Sequence, residues 1–466
     1  MTTPFPFESL LLFGSLSIML IIGVILRVKL TILQKFLFPS CLIGGVIGLI
    51  SRHVGLLDLA ATDLETFAYH FFNLSFISVG LTSGSSATPA EKTVKPLKGA
   101  LWMALVEGGV TLPLQAVVGG ISVILIGWLG MELFPTFGFL APLGFTEGPG
   151  QALSIGKVWE GAGFAHAATI GLIFAAIGFF FAFFVGVPIA NWGIRKGFGS
   201  LTPKDIPRDV LTGIASRDKQ ALSAGSLRTH SGNIDTLAFQ AALVGFVYVL
   251  TFGLVKLLGW ILPADVAEML WGFFFFFGML IALGVRWAMG RIRVAHLVDP
   301  GVQRRITGWA VDYLIVATIM AIQLVIVWKY ILPILFICLA SGLLTTVIVI
   351  YLGARLDGFN LERTVAVYGA CTGTVSSGLL LLRIVDPEFE TPAAMEIGLM
   401  NVIVAPLILG SMLLVNAPLW WQWSIGLTTV VFGAILVVCL VLIKLLGFWG
   451  KPRFVNSASD SVRRGA

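Results

Sequence analysis

Two short stretches of this sequence concentrate oxygen-bearing side chains among glycines, inside otherwise apolar segments. The first is Thr146-Glu147-Gly148-Pro149-Gly150-Gln151, with Ser154 a turn further on, in the segment 136–158. The second runs from Gly369 to Gly378 and holds Cys371, Thr372, Gly373, Thr374, Ser376 and Ser377, in the segment 364–384. Gly and Pro at this density interrupt a helix. Inside a membrane, the backbone groups freed by an interruption persist only where protein buries them or a wet cavity receives them. Freed carbonyls and hydroxyls are hard oxygen ligands for a small cation, and exposed helix N-termini offer a positive end to a carboxylate. The competing explanation is packing, because Gly, Ser and Thr also let helices approach closely. Two clusters at matching places in the chain favour a shared binding site.

Charged and amide side chains add to this set. Glu147 stands at the first interruption, where it binds a cation, titrates a proton or pairs with Lys157; a carboxylate within a membrane is a functional candidate by default. Glu107, ahead of Gly108 and Gly109, is either an ion ligand or a protonated helix–helix hydrogen bonder. Arg383 follows the second cluster and either neutralises an acidic substrate or anchors the membrane edge. Asn401, near Pro406, either lines the site or joins helices, and Asp312 and Gln323 read as structural. Thr146, Glu147 and Thr374 are the candidate sodium ligands.

Other chemistries lack their signatures. The five His show no metal spacing, and there is no His-Glu-x-x-His, no Gly-x-Ser-x-Gly and no Gly-rich loop ending in Gly-Lys-Ser/Thr. An enzyme, or a pump driven directly by ATP, is therefore not expected. The gradient of a coupling ion remains as the energy source, with no other cofactor. Cys41, Cys338, Cys371 and Cys439 fall in apolar segments, without the spacing of a zinc site or a disulfide framework.

The elements that must position these residues follow from composition. Of 466 residues, 57% are hydrophobic and only 12% charged, against about 25% charged in soluble domains. So much apolar surface must face lipid. Apolar stretches of about 20 residues, enough to cross a ~30 Å hydrocarbon layer as helices, recur along the chain. Their continuous character, as in Phe273 to Phe277, excludes the alternation of a β-barrel. The expected fold is an all-α polytopic membrane protein of about 11 spans: 7–26, 36–52, 66–84, 99–129, 164–192, 236–260, 267–288, 306–328, 331–353, 393–415 and 424–446. The segments 136–158 and 364–384 are expected to be re-entrant hairpins, since a full crossing by either would invert the charge bias of every later loop.

Most of the 30 Lys and Arg fall on one alternating set of loops, which makes that side cytoplasmic. The N-terminus is then outside, the C-terminus inside, and the membrane is the plasma (bacterial inner) membrane. The same bias accounts for the net charge of +6 without nucleic acid. A polar, partly disordered linker, 195–235, separates a first repeat (1–194) from a second (236–416). Each has five spans with a hairpin between the fourth and fifth, so the halves are inverted. An extra span and tail, 417–466, complete the chain.

With these features the chain resembles the sodium/glutamate symporter family over about residues 10–416. The resemblance is carried by Phe38-Pro39 with Gly44-Gly45, Phe76 to Leu81, Gly144 to Ala152 with Gly163-Phe164, Gly186-Val187-Pro188, and Gly369 to Gly378 running into Arg383-Ile384-Val385-Asp386-Pro387. It implies a homodimeric symporter coupling uptake of glutamate, or a similar small carboxylate, to Na⁺ by an elevator-like cycle. The first hairpin turn differs, with Glu147-Gly148-Pro149-Gly150 where characterised carriers have a Gly-Gly-His-Gly type turn, and the eleventh span is an addition.

Overall fold

The continuous apolar stretches fold as helices, and no strand occurs among the described residues. The computed structural model describes residues 7–82, 95–200, 208–215, 225–263, 267–268, 270–387 and 389–451, with 95 and 96 by backbone alone. The first half runs through α1 (Glu8–Lys29), α2 (Ser40–His53), α3 (Ala61–Thr82) and α4 (Leu97–Trp128), then α5 (Leu140–Phe145), α6 (Pro149–Gly161) and α7 (Ala167–Arg195). The second runs through α8 (Thr236–Ile261), α9 (Trp271–Arg291), α10 (Pro300–Ala321) and α11 (Ile331–Gly353). It continues with α12 (Asn360–Thr372), α13 (Val375–Val385) and α14 (Ala393–Val415), and α15 (Ile425–Leu445) follows.

Among the described residues eight helices, α1, α4, α7, α8, α9, α11, α14 and α15, are long and apolar enough to cross a membrane. The protein is therefore an all-helical, multi-pass membrane protein. The other three expected spans differ for physical reasons. Helix α2 has 14 residues, about 21 Å at 1.5 Å per residue. Helices α3 and α10 have the length, with 22 residues each, but carry Asp63 and Glu65, and Arg304, Arg305 and Asp312. Of these, Glu65 is buried, whereas Asp63, Arg304, Arg305 and Asp312 are exposed, the first three near the starts of their helices. Helix α10 lies along α3 and packs on α2, and α9 covers α3.

The expected span 306–328 is corrected. Helix α10 ends at Ala321, Ile322 and Gln323 turn to extended backbone, and a short helix Leu324–Lys329 follows. The Arg52 guanidinium donates to the carbonyls of Met320 (2.9 Å) and Ile322 (3.4 Å), satisfying acceptors that the helix end leaves open.

Both interrupted segments are hairpins, and α7 serves as the ruler that shows it. Gly156 of α6 packs at Ala167–Ala168, and Gly171 packs on Ala152 of α6 and Leu140 of α5. Gly144 of α5 packs at Phe174–Ala175, and Gly178 meets Phe145 and the Thr372 carbonyl. Helix α6 therefore runs antiparallel to α7 and α5 runs parallel to it, so the chain doubles back. Further along α7, Gly186 meets Tyr368 of α12 and Leu381 of α13, and Gly193 meets Leu361. The second hairpin thus lies on the other half of α7. The two arrive from opposite ends, and their tips converge near Gly178.

The polar stretch 195–235 is partly fastened down. The Arg27 guanidinium donates to the carbonyls of Val210 (2.9 Å) and Leu211 (3.2 Å). Asp299, the N-cap of α10, accepts from the Val302 and Ser226 amides and pairs with Arg228 at 3.2 Å. Asp235 caps α8. Residues 201–207 and 216–224 of the expected linker, and 452–466 of the expected tail, lie outside the described residues.

Candidate functional site

The first tip is built by Gly148. Its φ of +85° is a conformation that glycine adopts without strain. It lets the chain leave α5, pass Thr146 and Glu147, and re-enter a helix at Pro149. Pro suits a first helical position, where no intrahelical amide bond is needed. At the second tip α12 ends at Thr372 and Thr374 turns to extended backbone as the N-cap of α13, its hydroxyl accepting from the Ser377 amide at 3.4 Å. Gly148 lies against the Gly373 carbonyl and the Thr374 methyl, so the tips touch.

Gln115 of α4 joins both tips to the surrounding helices. Its Nε2 donates to Thr345 Oγ1 of α11 (3.1 Å) and to the Cys371 carbonyl of α12 (3.1 Å). Its Oε1 accepts from the Thr146 hydroxyl (2.8 Å), which also lies 3.3 Å from the Cys371 carbonyl. All four residues are buried. Gln115 was not among the residues expected from sequence, yet a signal was present. Glu107, Thr111 and Gln115 recur at four-residue intervals and so share one face of α4. Thr111 bonds the Glu107 carbonyl at 2.9 Å, within a π-helical stretch, Leu105–Thr111. Such stretches are frequent at functional sites.

Two carboxylates belong to the same region. Glu147 Oε2 accepts from Gln151 Nε2 at 3.2 Å, while its Oε1 and Glu107 Oε2 are buried without a hydrogen-bond partner. Glu107 acts electrostatically on Glu147 and on the Cys371 thiol. Lys157, an expected alternative partner of Glu147, instead pairs with Glu65 of α3 (2.5 Å) and with Glu160 (2.9 Å).

The expected residues therefore divide. Thr146, Glu147, Gly148, Cys371, Gly373 and Thr374 meet at the tips, with Gln151 holding Glu147, and Glu107 lies on the π-helical stretch of α4 that packs on α12. Ser377 is buried and donates its amide to the capping Thr374 hydroxyl, whereas Ser376 is exposed. Thr372 turns its hydroxyl back onto the Tyr368 carbonyl at 2.7 Å. Gly150 packs on the Phe72 ring of α3. Ser154 is buried a turn below, where its carbonyl lies against Gly272. Two residues are not brought in. Asn401 sits on an exposed face of α14, and Arg383 stacks over Phe389 at 4.8 Å, nine positions along α13 from Thr374. Asp312 lies near Cys41 of α2.

Sequence pattern also missed a buried ion pair behind the second hairpin. Arg363 of α12 binds Glu396 of α14 through two bonds of 2.7 and 2.6 Å and donates to the Gly358 carbonyl at 2.8 Å. Among the described residues no group of three or more His, Cys, Asp or Glu is disposed to hold a metal ion. A cation at the tips would draw on carboxylates together with neutral oxygens. No protein-family model matches the chain, and no curated protein matches it.

Proposed function

We propose that the protein is a sodium-coupled secondary transporter, a symporter of glutamate or a similar small carboxylate, working by alternating access of the elevator type. The observation that carries this is the tip-to-tip meeting of two interrupted helices around buried polar groups. Helices α6 and α13, of 13 and 11 residues, both begin at the junction. Their N-terminal amides and dipoles suit a carboxylate. The Glu147 carboxylate and the Thr146 and Thr374 oxygens suit Na⁺.

Packing supports inverted repeats with re-entrant hairpins. Helix α3 packs on α10 and α4 on α11, each on its counterpart in the other half. The α1–α2 contact has its equivalent in α8–α9, and α2–α10 in α9–α3. An elevator is supported by grouping. Helices α1–α3 and α8–α10 pack together, and the remaining helices gather around the hairpins. The two groups meet chiefly through α6 and α7. The resemblance adds a homodimer, and the charge bias adds an outside N-terminus and a cytoplasmic C-terminus.

Uptake of labelled glutamate into proteoliposomes, with and without an inward Na⁺ gradient, tests the proposal. Na⁺-dependent accumulation of glutamate or of another small carboxylate is expected. No movement of any solute under Na⁺ or proton gradients would remove the transporter reading. The buried carboxylates also favour a second reading, the same fold coupled to protons, which accumulation driven by a pH gradient without Na⁺ would establish.

A further inference from the structure

The first hairpin is fastened to the helix group of α1–α3 and α8–α10 by an ion pair. The Lys157 ammonium of α6 lies 2.5 Å from the Glu65 carboxylate of α3, and among the described residues no other ion pair joins the two groups. Other contacts across this boundary are apolar. Gly150 packs on the Phe72 ring, and Gly272 of α9 lies against Val158 and Ile155. Phe38, ahead of α2, meets Phe183 and Phe184 of α7 at ring separations of 5.7 and 5.0 Å. Apolar attraction is non-directional, so such surfaces exchange partners as they slide. The ion pair exists in one register only.

Two spacings define that register. Glu65 and Phe72 share one face of α3, and Gly150, Ser154 and Lys157 share one face of α6. Glu65 meets Lys157 and Phe72 meets Gly150, so the two helices run antiparallel, with buried Ser154 between the two contacts. The ends of the ion pair are unlike. The Glu65 side chain is 4% exposed and that of Lys157 42%. Lys157 has a second carboxylate on its own helix, Glu160 at 2.9 Å, which it keeps if the groups part. Glu65 has no second ion pair among the described residues, and the Arg52 guanidinium of α2 is engaged with the carbonyls of Leu59, Met320 and Ile322. A buried charge left without its partner is strongly unfavourable, so the cost of opening falls on Glu65.

We propose that Glu65 and Lys157 form a latch that holds the first hairpin in its present register on α3. The latch opens when the hairpin group moves, Lys157 leaving with Glu160 while Glu65 stays on α3. It presupposes the elevator motion of the proposed function, and adds to it one residue of each helix group that sets how readily the groups part.

Thiol labelling of the purified protein in detergent tests this without any substrate. Cys41, Cys338, Cys371 and Cys439 are replaced by Ala, and Ser154→Cys is introduced as a reporter on the latched face of α6, to be modified by a water-soluble maleimide. Relative to that parent, Glu65→Gln should be labelled at least fivefold faster. Lys157→Met should be faster still, because it leaves Glu65 buried without its cation, and the two changes together should return to the Glu65→Gln rate. Glu160→Gln, which removes the partner within α6, should be no faster than the parent. A matched set that keeps buried native Cys338 as its one thiol reports unfolding and should show no acceleration. Where Lys157→Met does not fold, Glu65→Gln and the double change carry the comparison. Equal rates in the parent, Glu65→Gln and Lys157→Met, or an equal acceleration at Cys338, would overturn the latch and leave the elevator standing. A Ser154→Cys thiol unreactive in every folded variant, while the unfolded protein is fully labelled, would overturn the elevator and the latch with it.

Discussion

Gln115 makes the most connections of any side chain at the junction, and its loss tests whether the junction is one unit. Replacing it by Leu removes bonds to Thr345, Cys371 and Thr146 at once. At about 1 kcal/mol net for each bond, the cost should be roughly 2–3 kcal/mol, read as a lower melting midpoint, together with a fall in uptake. Thr146→Val should impair uptake with a smaller effect on stability. A Gln115→Leu protein with wild-type uptake would mean that the network is packing alone. The buried pair of Arg363 and Glu396 makes a different prediction. Glu396→Ala leaves a buried guanidinium without its carboxylate and should cost roughly 3–5 kcal/mol. The double change Arg363→Met with Glu396→Leu should recover much of that loss in a thermal-shift comparison. Which of these residues could be read in advance depended on spacing. Thr146, Glu147 and Thr374 advertise themselves because glycines and a carboxylate interrupt apolar sequence. Gln115 shares the polar face of α4 with Glu107 and Thr111, but its partners lie 31, 230 and 256 positions away, which no spacing displays. Arg363 and Glu396, 33 positions apart, and Lys157 with Glu65 have no period that pairs them.

At the scale of elements, the hairpins were legible because so many breakers fall within segments too apolar to be loops. Their bounds in the structure, Phe137 to Gly161 and Asn360 to Val385, fall close to those expected. The end of α10 was not legible, because the Arg52 guanidinium that binds the carbonyls there is distant in sequence. Two elements yield predictions. Gly148→Ala places a side chain at φ +85° and against the opposite tip. It should destabilise by about 1 kcal/mol or more and lower uptake. Gly130, also at positive φ but in open space, supplies the comparison: Gly130→Ala should cost a similar strain without the loss of uptake. The N-cap of α10 gives a pH-dependent case. Burial pushes the Asp299 carboxyl up, but the Val302 and Ser226 amides and the Arg228 guanidinium outweigh it and hold the group below the usual carboxylate range. A carboxyl lowered in the folded state contributes stability above its unfolded value, and loses it as pH falls through the folded one. Asp299→Ala should therefore cost roughly 0.5–2 kcal/mol at neutral pH. The gap to the wild type should close in acid, as measured by unfolding across pH.

At the scale of the whole molecule, helix α7 organises the packing of both hairpins. One helix carries both hairpins along its length, and α4 and α11 press on the place where they meet. The first hairpin also touches the other helix group, through Gly150 on Phe72 and Lys157 on Glu65. Any motion of one group past the other must break and remake these contacts. The proposed transport site exists only if the two hairpin tips meet, and a cross-link tests that meeting most directly. Cys41, Cys338 and Cys439 are replaced by Ala, native Cys371 is kept in the second hairpin, and Thr146→Cys is introduced in the first. A protease site inserted between residues 216 and 224 then allows the two halves to be separated. After treatment with a short bis-thiol reagent and cleavage, the halves should migrate as one species until the link is reduced. Halves that separate completely, while both thiols still react with a monofunctional reagent, would contradict the meeting of the tips.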